Sequence, residues 1–205
     1  MNIKCPRCGG TETAPIMYGM PAFSDELEQA IQNHKIVLGG CCESEVSPKY
    51  HCFGCNKDFG TPPILLSKRG LEQYEDIVTS IRFSDGGYFD GYPEVIMKKS
   101  KDTILVDARP GFSSEGLLHR EMSEGEWRKV ISKLYEQLYV HEWKKRFVDP
   151  DILDGEQWEL EIQLAGGRKR TYCGSNAFPP LWQELKNVFR PYFTEANVQL
   201  CGGLS

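Results

Sequence analysis

Between Trp158 and Leu164 the chain alternates strictly, with apolar Trp158, Leu160, Ile162 and Leu164 separated by Glu159, Glu161 and Gln163. A period of two predicts a strand with one buried and one solvated face. Gly166-Gly167 then reads as a two-residue turn, returning Arg168–Cys173 antiparallel. That register sets Arg170 opposite Gln163, diagonal to Glu161, and puts Cys173 on the Leu160 face as a small buried hydrophobe. Ile77–Phe83, Tyr88–Lys98 and Thr103–Ala108 predict three earlier strands, with Asp85-Gly86-Gly87 as a hairpin turn after the first.

Other stretches change to helical spacing. Ser123 is a good N-cap with Glu126 three residues on, and Trp127, Val130, Ile131, Leu134 and Leu138 follow on one side. This predicts a helix to about Phe147, stopped by Asp149-Pro150. Its Lys144-Lys145-Arg146 end would complement the helix dipole. Pro179-Pro180 opens a last helix carrying Leu181, Leu185, Val188 and Tyr192, with Pro191 near its end. Lys68–Tyr74 predicts one or two helical turns, and Pro110–Gly116 an ordinary surface loop. Ser24 starts a further helix, with Leu27, Ile31 and His34 on one side. After residue 64 the order is strand, strand, strand, helix, strand, strand, helix. That pattern suggests an α+β fold, an antiparallel sheet covered on one face.

Composition adds boundaries. The 205 residues allow a small module beside a domain with its own core. Gly60-Thr61-Pro62-Pro63 breaks the composition, which predicts parts at 1–60 and 64–205. The net charge of −5 offers no overall basic field for nucleic acid or anionic membrane. No apolar run is long enough to span a bilayer, and MNIKCPRCGG has no signal-peptide core, so a cytoplasmic location is expected. Reducing conditions there favour free or ligating thiols over disulfides.

Six of the eight cysteines fall within residues 1–55. Cys5-x-x-Cys8 and Cys52-x-x-Cys55 are two tight turns, each able to aim two sulfurs at one ion. Together they form the tetrahedral thiolate set that Zn²⁺ accepts. Gly9-Gly10 and Asn56 tolerate the left-handed backbone such knuckles need. Tyr50-His51-Cys52 and Lys57-Asp58-Phe59 make the arms of a hairpin. A lone C-x-x-C can be a thioredoxin-like redox motif, but nothing around residues 5–8 has the βαβ pattern it requires.

On these residues the first 60 positions resemble the zinc-ribbon family, CPRCGG pairing with CFGCNKDF, although 43 residues between Cys8 and Cys52 exceed a minimal ribbon. The resemblance implies a structural zinc ion on Cys5, Cys8, Cys52 and Cys55, and no activity. Small bacterial proteins of unassigned function have a similar ribbon with a GG-C element. The stretches Asp154-Gly155-x-x-Trp158 and Gly174-x-Asn176-x-x-Pro179 likewise resemble uncharacterised bacterial domains. Structurally they read as a turn before a strand and a helix cap.

Cys41 and Cys42 are adjacent and read as packed or partly exposed thiols beside the ribbon, with exchange for one of the four ligands or a redox role as the alternatives, while Cys201 lies in a Gly-rich tail. His34 is expected to pack on its helix face and His51 to lie on a strand surface, with ligand exchange as the alternative. His119 and His141 lack a local nucleophile or carboxylate partner. No nucleotide-binding, metalloprotease or nucleophile-elbow motif is present. The expected role is therefore non-enzymatic, a zinc-clamped protein that binds a protein or small-molecule partner. A nucleic-acid-binding regulator is one alternative, on Lys98-Lys99, Lys144–Arg146 and Arg168–Arg170. An enzyme is the other, with a pocket near Trp158, Asn176, Trp143 and Arg109.

Overall fold

The computed structural model describes residues 3–68, 70–88, 91–112, 118–152 and 155–198. Asp154, Cys201 and residues 113–116 of the Pro110–Gly116 loop lie outside them. The fold is mixed α and β, and no helix among the described residues is long and apolar enough to cross a membrane.

The N-terminal sheet has order β2-β1-β3-β4, from β1 (Thr13–Met17), β2 (Val37–Leu38), β3 (Tyr50–Cys52) and β4 (Lys57–Phe59). β1 is antiparallel to β3 and parallel to β2. Helix α1 (Asp25–Gln32) starts where Ser24 accepts the Leu27 amide at 3.3 Å, satisfying one orphan donor of the first turn. It buries no residue, and His34, beyond its cap at φ 56°, stacks instead on Phe53 at 4.1 Å.

A hairpin of β5 (Ile64–Ser67) and β6 (Gly70–Gln73) follows, then the single turn α2 (Tyr74–Ile77). Gly70–Gln73 was expected to be helical, but its ladder to β5 takes those backbone groups. Among the described residues the main sheet holds seven strands in the order β10-β9-β8-β7-β12-β13-β11. These are β7 (Val78–Gly87), β8 (Glu94–Lys99), β9 (Ile104–Arg109), β10 (Leu118–Glu121), β11 (Arg146–Val148), β12 (Glu156–Leu164) and β13 (Arg168–Ser175). All neighbours are antiparallel except β11 and β13. β10 and β11 are strands the sequence pattern did not reveal; both are short edge strands.

One face of this sheet is apolar. Ile81, Phe83, Val95, Met97, Val106, Leu160 and Ile162 are fully buried there. Helices α3 (Glu124–Ser132) and α4 (Trp182–Glu195) supply the buried Trp127, Val130, Ile131, Leu185, Val188 and Phe189 to the same core. Each such side chain contributes roughly 1.5–3 kcal/mol on burial. Phe83 stacks on Phe189 at 4.6 Å, joining sheet to helix. The opposite face carries a charge ladder: Arg82 reaches Glu94 at 2.6 Å and Glu159 at 2.8 Å, and Lys169 reaches Glu161 at 2.6 Å.

Three local expectations are corrected. Helix α3 stops well short of Phe147: a π turn at Lys133–Gln137 ends it, Tyr139 takes φ 50°, and Arg146 begins β11. The periodicity misled because Leu134 and Leu138 stay buried through the π turn. The Trp143 indole then donates to the Leu138 carbonyl at 2.8 Å, satisfying a group the helix end leaves open. Lys144–Arg146 thus end no helix.

Second, the β12–β13 connection uses three residues, Ala165–Gly167, with Gly166 and Gly167 at φ 76° and 74°. The extra residue shifts the register by one, so Leu160 pairs with Tyr172 and Cys173 with Glu159. A slip of one exchanges the faces. Cys173 is half-buried on the charged side, and Lys169 rather than Arg170 stands opposite Gln163.

Third, Asp85-Gly86-Gly87 is strand, paired with Trp158, Gln157 and Glu156, and the chain reverses between Gly87 and Gly91. Gly86 is required for close approach: a Cβ there would lie 2.0 Å from the Gly91 carbonyl oxygen.

This arrangement drives Asp85 into the apolar face, fully buried, with its carboxyl set beside that of Glu156. Burial pushes its carboxyl up to about 8, Glu156 beside it adds to the rise, and Lys186 of α4 opposes it. The folded protein therefore holds a proton that the unfolded chain releases near pH 4. Stability from this group is full below pH 4 and is lost as pH rises towards 8. Asp85→Asn is expected to flatten that decline. Its thermal midpoint at pH 8 should exceed that of the parent by at least about 3 °C, roughly 1 kcal/mol for a chain of this length. Melting curves from pH 5 to 9 check this.

Candidate metal centre

The first knuckle is a tight turn closed by its own backbone. Gly9 donates to the Cys5 carbonyl and Cys5 donates to the Gly10 carbonyl, both at 2.9 Å, while the Gly10 amide points at Cys8 Sγ at 3.4 Å. Gly9 sits at φ 76°, where a side chain would be strained. The second knuckle is the tip of the β3–β4 hairpin, with Asn56 at φ 52°. It is tied to the start of β1 by Phe53 N–H donating to the Glu12 carbonyl at 2.9 Å.

These two turns bring the four predicted ligands together. The sulfurs of Cys5, Cys8, Cys52 and Cys55 all lie within 4.8 Å of one another. Cys5 and Cys55 are 3.8 Å apart and Cys8 and Cys52 3.6 Å. A tetrahedron with Zn–S bonds of ~2.3 Å has S–S edges of ~3.8 Å, so the cluster has the size of a tetrathiolate shell. Cys5 and Cys52 are fully buried, Cys55 is half-buried and Cys8 is exposed.

Without a cation the four sulfurs are poor company. Burial first, and then the neighbouring thiols, push Cys5 up and Cys55 up to about 12. Burial also raises Cys52, but the Cys55 backbone and the thiols facing it outweigh that and leave it below its ordinary value. Four deprotonated sulfurs at these distances need a positive charge between them, which a divalent ion supplies.

The centre also rests on the main sheet's elements. A Cβ on Gly9 would lie 3.2 Å from Pro180 Cβ, just ahead of α4. Lys4 pairs with Glu184 at 3.1 Å, and Arg7 lies 3.9 Å from Glu142. Beyond the hairpin, Thr61 donates from both its amide and its hydroxyl to Glu142 Oε1 at 2.8 Å. The hydroxyl oxygen thereby accepts from His141 Nε2 at 3.1 Å, a tautomer assigned from this bonding pattern. Burial lowers the His141 pKa, against Glu142 and the Thr61 backbone, which raise it. Sequence reasoning missed Thr61 and Glu142 because they lie 81 positions apart.

The remaining candidates do not converge on one site. His51 is held by Asp58 at 2.6 Å and His119 by Asp107 at 2.6 Å, each across a strand pair. Trp158 donates to the Ala177 carbonyl at 2.9 Å, and Asn176, at φ 54°, to the Ile152 carbonyl at 3.3 Å. Trp143 is buried in the core, and Arg109 stands 3.8 Å from Glu94. Of these four, Trp158 lines a trough of about 440 Å³ together with Cys173 and Arg146. Cys41 and Cys42 are exposed, with sulfurs 3.6 Å apart, and belong to no metal cluster among the described residues.

A Cys41→Ser, Cys42→Ser double variant is accordingly expected to keep the parent's metal content, with stability within about 0.5 kcal/mol of the parent. Metal analysis and denaturant titration check both. No protein-family model matches this chain, and no curated protein matches it significantly, so the donor set itself carries the functional reading.

Proposed function

We propose that this chain is a zinc-binding protein whose ion is structural, a clamp for residues 1–60, and whose second part, residues 64–205, is a non-enzymatic binding domain. The observation that carries this reading is the compact set of four sulfurs at tetrahedral spacing. All-sulfur donors favour zinc over hard cations such as magnesium or calcium. Four thiolates also complete the coordination shell and leave no position for an activated water, which supports a structural rather than catalytic ion. The seven described cysteines are all free, which supports a reducing, cytoplasmic setting.

Emission spectrometry is expected to give about one zinc per chain, lost in Cys5→Ser and Cys52→Ser variants. Chelation should raise hydrogen exchange across residues 3–60 while strands β7–β9 and β12–β13 stay protected. A metal-free chain that keeps its N-terminal protection overturns the reading.

A further inference from the structure

The β5–β6 hairpin stands beside the β12–β13 turn, and between them lies a cavity of about 690 Å³. Its lining combines apolar Leu65, Leu66 and Ala165 with the cations Lys68, Arg168 and Arg170. In a chain of net charge −5, three cations around one opening are a local reversal of sign. Glu72, the acid of this lining, is engaged by Arg168 at 2.9 Å, and Arg168 is further fixed by donating to the Ala165 carbonyl at 3.1 Å. No carboxylate among the described residues is in ion-pair range of Lys68 or Arg170.

The one-residue register shift produces this arrangement. It turns Lys169 onto the charged face, where it meets Glu161, and leaves Arg168 and Arg170 on the side of the cavity. Arg170 lies among the phenols of Tyr74, Tyr135 and Tyr172, whose burial-raised values its charge holds down. The apolar part of the lining is equally unusual. Leu66 is 76% exposed and pairs across the hairpin with Leu71, which is 45% exposed. A two-stranded ribbon is marginal alone, and exposed leucines on it favour an apolar cover.

We propose that this groove binds an amphiphilic anion, a phosphate, sulfate or carboxylate head on a single apolar chain. The head sits between Lys68 and Arg170, and the chain lies along Leu65, Leu66 and Ala165. Charge complementarity selects the head and the leucine wall selects the tail, so neither half suffices alone. The site is remote in sequence from the four cysteines and stands independently of the zinc reading.

The test uses the full-length zinc-loaded chain, titrated calorimetrically with decyl phosphate below its micelle concentration. Inorganic phosphate and decanol serve as head-only and tail-only probes. Decyl phosphate is expected to bind at least about tenfold more tightly than either, the equivalent of one charge-assisted bond. Lys68→Gln and Leu66→Asn, both surface changes, should each weaken it by about tenfold, with zinc content and circular dichroism unchanged. Equal binding of inorganic phosphate, or decyl phosphate binding unaffected by both substitutions, overturns the proposal. So does a single-stranded oligonucleotide or an anionic phosphatidylglycerol vesicle that binds more tightly than decyl phosphate and loses that binding in Lys68→Gln.

Discussion

The constraint that organises the first 60 residues is the meeting of four cysteine sulfurs within 4.8 Å of one another. The buried cluster there consists of Cys5, Cys52 and Phe59, with Ile3, Tyr50 and Cys55 packed against it. So small a buried cluster cannot offset the conformational entropy of ordering some sixty residues. The strands are short, α1 buries nothing, and the connection between α1 and β3 is long. The four sulfurs are placed where one cation could take over the role of the missing core, tying the N-terminal turn to the hairpin tip across 43 intervening residues.

The main sheet solves the same problem without an ion. Its inner face and the two covering helices form one continuous apolar cluster, with aromatic contacts from Phe83 to Phe189, Phe193 and Trp182. Its outer face is neutralised locally, Arg82 bridging Glu94 and Glu159 from neighbouring strands. Such exposed pairs contribute ~1 kcal/mol or less each; they matter more for holding register than for stability. Asp85 departs from this economy. Fully buried on the apolar side with Glu156 and Lys186 nearby, it is an ionisable group placed where a leucine would be more stable.

Features written in local periodicity were legible. The alternation of Trp158–Leu164 gave a strand with those four apolar residues buried, Ser123 capped its helix, and the paired C-x-x-C turns met in space. What failed depended on partners far along the chain. Asp85-Gly86-Gly87 has turn composition, yet its glycines serve backbone packing against Gly91 and Gly155. The end of α3 was hidden because a π turn keeps the same face buried. The register of β13 hinged on a single residue, Ala165, entering the turn, and with it the side on which Cys173 and Arg170 fall. At the metal centre the ligands were readable, but the ground on which they stand, Pro180, Glu184 and Glu142, was not.

That ground gives Gly9 a double duty. The residue whose left-handed backbone lets Cys5 and Cys8 converge is also the one pressed against Pro180, at the threshold of α4. Shaping the knuckle and seating it on the helix are therefore one geometric event. Any change in the turn that alters the spacing of Cys5 and Cys8 must also alter its seat on Pro180, beside the Lys4–Glu184 and Arg7–Glu142 pairs that hold the same surface.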